Sequence, residues 1–180
     1  MITTTSIPDV FIFEPRVFHD DRGYFFESFN NSTFAAETGL DITFIQDNQA
    51  ASVKNVLRGL HFQKPPYAQT KLVRVLQGAI WDIVVDIRKE SPHFGKWVGV
   101  ELSAENKRQL FVPKGFAHGY AVLSNTAEVF YKCDNLYHKE SESGILFNDP
   151  ALQIDWKINL QDAILSEKDK QWKGLSESMN

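Results

Sequence analysis

The chain has 180 residues, 43% hydrophobic and 23% charged, proportions of a folded globular protein that exclude the disordered and fibrous classes. A net charge of -4, a pI near 5.7 and the lack of any Lys/Arg cluster argue against nucleic acid or an anionic membrane surface as a partner. No apolar run approaches the roughly 20 residues that span a bilayer, and Met1-Ile2-Thr3-Thr4-Thr5 lacks the basic and apolar regions of a secretory signal.

The single cysteine, Cys133, has no internal disulfide partner and reads as a small buried hydrophobe, so a reducing compartment such as the cytoplasm is expected. The length fits one domain over residues 1–180. Aromatics make up 13%, with fourteen Phe and four Trp, and this enrichment predicts a sheet-rich protein.

From Ile7 to Phe29 short apolar runs alternate with Pro8, Pro15 and the turn Asp20-Asp21-Arg22-Gly23, a hairpin signal. Ser32 to Thr38 predicts a short helix capped by Ser32 and stopped by Gly39, with Phe34 and Ala35 facing inward. From about residue 44 to 147 strand patterns follow one another, the signature of a sandwich or barrel core. Lys71, Val73 and Val75 share one face; after the Gln77-Gly78 turn, Asp82, Val84 and Asp86 share another. Alternation alone fits a polar cavity wall and a solvent-facing strand equally well. After Asp149-Pro150 a helical tail over 150–180 is expected, with Ser166-Glu167-Lys168-Asp169 as a helix start.

Two segments pair a glycine with a histidine: Arg58-Gly59-Leu60-His61-Phe62-Gln63 and Pro113-Lys114-Gly115-Phe116-Ala117-His118-Gly119. The second contains Pro-x-Gly-x-x-His and resembles the second motif of the cupin superfamily. The first resembles the first cupin motif, His-x-His followed by Glu, with Gln63 and Lys71 standing where ligands would be and Gly78 seven positions after Lys71. A protonated lysine offers no lone pair and an amide is a poor substitute for imidazole, so neither a metal nor another cofactor is expected. The same substitutions suit proton abstraction beside a carbonyl. Lys71 can stabilise the developing oxyanion, and a histidine, with an ordinary pKa near 6.5, is a good general base.

Further blocks follow in order: Arg22-Gly23-Tyr24-Phe25-Phe26-Glu27, Gln46-Asp47-Asn48, Lys71-Leu72-Val73, Phe94-Gly95-x-Trp97 and Ser166-x-Lys168-Asp169. With the two Gly-His motifs they resemble the dTDP-4-dehydrorhamnose 3,5-epimerase family over about residues 7 to 170. The resemblance implies a cupin-like jelly-roll barrel, a homodimer with N-terminal strands 7–29 at the interface, and a dTDP-keto sugar as substrate. It implies His61 as proton acceptor oriented by Asp169, Tyr131 as donor on the opposite face, and Asp82 as a further active-site acid near Lys71. From its own surroundings Tyr131 reads as a core tyrosine, and Asp169 as a helix-turn acid. Arg22, Arg58 and Lys168 resemble a diphosphate clamp. Glu27, Gln46, Asn48, Lys71, His118 and Glu142 match substrate-contacting positions, although Lys139-Glu140-Ser141-Glu142-Ser143 admits a slipped register. Tyr137 resembles the aromatic on which the base stacks. The same residues also leave open a single-carbon epimerase, a 3,4-ketoisomerase, a metal-dependent cupin and a non-enzymatic sugar-nucleotide binder.

Overall fold

A computed structural model describes residues 1–178, in which the period-two segments become two antiparallel sheets packed face to face. One sheet has six strands in the spatial order β1 (Ile2–Thr4), β2 (Phe11–Phe13), β10 (Gln109–Val112), β7 (Lys71–Gln77), β12 (Thr126–Cys133), β5 (Gln46–Val53). The other has five: β13 (Glu142–Gly144), β6 (Leu57–Gln63), β11 (Phe116–Val122), β8 (Ala79–Asp86), β9 (Trp97–Ser103). This is the expected all-β, cupin-like jelly roll. A separate hairpin, β3 (Phe18–Asp20) and β4 (Gly23–Phe25), turns at Asp20-Asp21-Arg22-Gly23 as predicted.

Each strand sorts its side chains by parity. Val73, Val75, Ile80, Val84, Val122 and Val129 point between the sheets and form the inner core. The outer face of the five-stranded sheet buries Ile83, Val85 and Ala117 under Leu152, Trp156 and Leu175 of the C-terminal tail. The outer face of the six-stranded sheet buries Leu72 and Phe111 under Phe34 and its aromatic neighbours Phe29 and Phe44. Each fully buried aliphatic contributes about 1.5–3 kcal/mol relative to exposure, so both sheet faces need their covers. Asp82, Val84 and Asp86 are all buried, which excludes the solvent-facing alternative for β8; Val84 joins the inner core, Asp82 pairs with His118 and Asp86 with Arg88 and Ser91.

Two local expectations are corrected. The N-cap of α1 (Asn31–Thr38) is Asn30 and not Ser32: Asn30 is extended, and its side chain accepts from the N–H groups of Ser32 and Thr33. Asn competes well for this position because its oxygen reaches two free helix donors. Gly39 ends the helix in the left-handed region as expected, with Phe34 buried and Ala35 half-buried. Among the described residues of the tail, helix is confined to a 3-10 turn, Leu160–Asp162, and to α2 (Leu175–Ser178). Ser166 caps only one turn, accepting from the Asp169 N–H, because the chain there is held against β6 by a bridge from Ile164 to Val56. No helix among the described residues is long and apolar enough to cross a membrane.

One irregularity positions the chemistry. The β6–β11 register shifts by one residue between the pairs His61–His118 and Arg58–Tyr120. This bulge places Leu57 and Leu60 in the outer core while His61 turns inward. Gly59 occupies the kink with φ +118°, and a Cβ there would lie 2.6 Å from the Cα of Gly119. The glycines of the two Gly-His segments thus let β6 and β11 approach each other.

Candidate active site

Between the sheets lies a cavity of about 530 Å³ whose wall includes Arg58, His61, Lys71, His118, Tyr120, Tyr131, Glu142, Lys168 and Asp169. It continues into a second lobe of about 140 Å³ lined by Gln46, Asn48, Gln69 and Tyr137, with His61, Lys71, Tyr131 and Glu142 common to both. Two other cavities, of about 470 and 640 Å³, include no histidine in their walls.

His61 and Tyr131 face each other from opposite sheets, His61 on β6 and Tyr131 on β12. The His61 Nε2–H donates to Asp169 Oδ1 at 2.5 Å, which leaves Nδ1 with the lone pair. Asp169 is 2% exposed. Burial pushes its carboxyl up, but hydrogen bonds from His61, Ser166 and the Gly59 N–H together hold it below the ordinary aspartate value. A depressed carboxyl contributes stability that is present above its unfolded pKa of about 3.9 and lost as pH falls through the folded value. Asp169→Asn is therefore expected to flatten the acid limb of stability by up to one proton, about 1.4 kcal/mol per pH unit, measured as denaturation free energy below pH 4. An unchanged acid slope would contradict the depressed pKa.

A second buried pair lies beside the first: His118 Nε2 and Asp82 Oδ1 are 2.7 Å apart, and Asp82 Oδ2 has no partner among the described residues. The Lys71 ammonium sits 5.7 Å from the centre of the Tyr131 ring. Burial lowers the Lys71 pKa, and the carboxylates of Asp82 and Glu142 partly oppose that. Burial likewise pushes the Tyr131 phenol up to about 12, so it is a neutral proton carrier at physiological pH. The arrangement offers an oriented base on one wall, and an un-ionised acid with a cation beside it on the other.

Along the rim, Glu142 accepts from Lys168 at 2.6 Å and from the Tyr137 hydroxyl at 2.9 Å. Glu142, in register with Gln63, is therefore the acid at the cavity, whereas Glu140 lies beside His138. Gln46 accepts from the Tyr137 N–H and donates to Asn48. Arg58 is exposed at the rim, braced on Ser52 Oγ at 3.1 Å. Gln63 gives its amide donors to the carbonyls of Tyr67 and Leu136 and its oxygen to the His138 N–H, so its polar atoms are spent on loops. Among the described residues no group of three His, Cys, Asp or Glu converges.

Three expected residues do not line this cavity: Asp82 is fully buried and reaches it only through His118, and Arg22 and Glu27 lie elsewhere. Arg22 is 90% exposed at the tip of the β3–β4 hairpin, paired with Asp20, and Glu27 lies beside Asn30 in the separate N-terminal cavity. Three others enter unannounced. Gln69 lines the second lobe, and the Trp172 ring stands edge-on to His61 at 6.4 Å. Tyr120 projects from the same face of β11 as His118, which alternation from His118 could have indicated.

The family model for dTDP-4-dehydrorhamnose 3,5-epimerase matches residues 4–177. The chain belongs to this family. A relative of that name from Escherichia coli strain K12 is 56% identical over 176 residues, covering 98% of this chain and 95% of the relative. The crystal structure of a dTDP-4-dehydrorhamnose 3,5-epimerase from Elizabethkingia anophelis NUHP1 superposes with a TM-score of 0.96 at 52% identity, covering 100% of this chain and 98% of that one. A Legionella pneumophila Philadelphia 1 structure, described as a dTDP-6-deoxy-D-glucose-3,5-epimerase in complex with dTDP-4-keto-L-rhamnose, gives 0.94 at 49% identity over 98% and 93% of the two chains. The epimerase family thus accounts for the whole described fold, including the tail that carries Asp169.

Proposed function

We propose that the chain epimerises dTDP-4-dehydro-6-deoxy-D-glucose at C3 and C5, giving dTDP-4-dehydro-L-rhamnose. The observation that supports this best is the His61–Asp169 pair facing Tyr131 across the cavity with Lys71 beside them. His61 Nδ1 takes the proton from a carbon next to the C4 ketone, and the electron pair moves onto the ketone oxygen as an enolate. Lys71 stabilises that oxygen in a water-poor site. Tyr131 then delivers its proton to the opposite face of the carbon, inverting it. His61 returns its proton to solvent and the tyrosinate regains one, so each inverted carbon carries a solvent hydrogen.

Incubation with the keto sugar in D2O tests this. Deuterium at both C3 and C5 is expected; deuterium at neither would sink the proposal, and deuterium at one would make the enzyme a single-carbon epimerase.

The second lobe, with Tyr137, Gln46 and Asn48, suits the thymine base, while Arg58 and Lys168 suit the diphosphate. His118, held from behind by Asp82, completes the sugar's surroundings. We further propose a homodimer in which Arg22 and Glu27 serve the partner's cavity. Phe18 and Phe25 on the same hairpin are 50% and 71% exposed, apolar surface that a second copy would cover. Arg22→Ala is expected to lower kcat/KM by about 10- to 100-fold. Mixing it with His61→Asn should restore activity, because hybrid dimers own one site with both wild-type groups. No gain on mixing after subunit exchange would rule out the supply of Arg22 by the partner.

A further inference from the structure

Gln63 takes no part in the proton transfers, yet the second lobe is built on it. It lies on β6 two residues beyond His61, is 7% exposed, and forms part of that lobe's wall. Its amide takes hold of the chain on both sides of one residue, Tyr137. Gln63 Nε2 donates to the Leu136 carbonyl at 3.1 Å, and Oε1 accepts from the His138 N–H at 2.7 Å. The other Nε2 hydrogen goes to the Tyr67 carbonyl at 2.6 Å. Between the two, the Tyr137 N–H donates to Gln46 at 2.9 Å. Leu136, Tyr137 and His138 belong to no strand or helix, so no ladder fixes their peptide groups. A buried side-chain amide does it instead.

Tyr137 is thus held at its backbone while 54% of the residue stays exposed, its hydroxyl donating to Glu142. An aromatic ring in a loop contributes most to stacking when its place is set beforehand, since ordering the loop on binding offsets the contact. Relative to the epimerase reading above, on which this step rests, the second lobe receives the base. We infer that Gln63 is a positioning residue that sets the Tyr137 ring for stacking on the nucleotide base, through its hydrogen bonds to the peptide groups on either side. With both of its hydrogens taken by loop carbonyls, Gln63 has no donor left for the base itself. His61 is oriented by Asp169 and not by Gln63, so binding of the base and turnover separate.

Gln63→Met keeps the length of the side chain and removes its hydrogen bonds. KM for the dTDP-keto sugar and Kd for dTDP should rise about tenfold, with kcat within about twofold of wild type. Inhibition by inorganic pyrophosphate, which has no base, should be unchanged. In a Tyr137→Ala background the same substitution should cost dTDP almost no affinity, because the ring it positions is gone. Gln63→Glu keeps the acceptor for His138 and loses the donors; it should show the same split, and decides the matter if the methionine variant does not fold. Unchanged dTDP affinity would overturn the assignment, as would equal losses for dTDP and pyrophosphate, a loss confined to kcat, or an undiminished loss in the Tyr137→Ala background. A wild-type protein that binds dTDP no more tightly than pyrophosphate would instead defeat the reading of the second lobe as the base site.

Discussion

His61→Asn is expected to lower kcat for epimerisation by about three orders of magnitude while leaving dTDP binding within about threefold. Asparagine approximates the shape of the imidazole and can hydrogen-bond Asp169, but it has no lone pair basic enough to remove a carbon-bound proton at neutral pH. The expected size is that of a lost general base, and the direction separates an enzyme from a sugar-nucleotide binder, which would be nearly indifferent. The second measurement matters because Asp169 is 2% exposed. If the variant left that carboxylate unpaired, the loop from Ile164 to Asp169 would shift, and Arg58 and Lys168 would report it as weakened dTDP binding. A large loss of turnover with nucleotide affinity intact assigns the effect to the proton. Wild-type kcat in the variant would remove His61 from the mechanism.

Tyr131→Phe is expected to abolish inversion without abolishing exchange. His61 on the opposite wall can still form the enolate and return a solvent-derived proton to the same face. Recovered substrate in D2O should therefore gain deuterium while product formation drops about 10²- to 10³-fold. Burial holds the wild-type phenol up to about 12, so it keeps its proton over the working range and gives it up only to a much stronger base such as an enolate carbon. Lys71 titrates differently. Burial lowers its pKa from the ordinary value near 10.4, so kcat should decline as pH rises through that lowered value, before Tyr131 ionises. Inversion by Tyr131→Phe at the wild-type rate would mean that water is the donor.

Much of this site is legible in the sequence, for a definite reason. Lys71, Asp82, His118 and Tyr131 sit on regular strands, where parity alone assigns a face, and the valines between them say which face is inner. What alternation leaves open on β8 is decided by the second sheet, a long-range contact that no local pattern contains. Asp169 is different: it follows Ser166 in what reads as a helix start, and reaches His61 only because the tail folds back onto β6 at Ile164 and Val56. Arg22 and Glu27 are legible as motif residues, yet their own chain holds them outside the cavity. Tyr120 shares a face with His118 by alternation, but a tyrosine among apolar residues reads equally as core packing, so parity alone does not single it out.

The bulge at Gly59 and Leu60 leaves no trace in a hydrophobic pattern, and yet it chooses the side on which His61 works. Leu57 and His61 are four positions apart, and in an uninterrupted strand they would share a side, under the tail with Trp156. One surplus residue makes the count odd. Drawing it back into regular alternation would exchange the occupants of the two surfaces, sending Leu60 into the cavity and His61 out to Trp156, with every amino acid in place, whereas deleting it would leave both where they are. Whether the imidazole opens into the cavity or lies under the tail is thus decided by one residue that stands out of the alternation between Leu57 and His61, more than by any property of the imidazole.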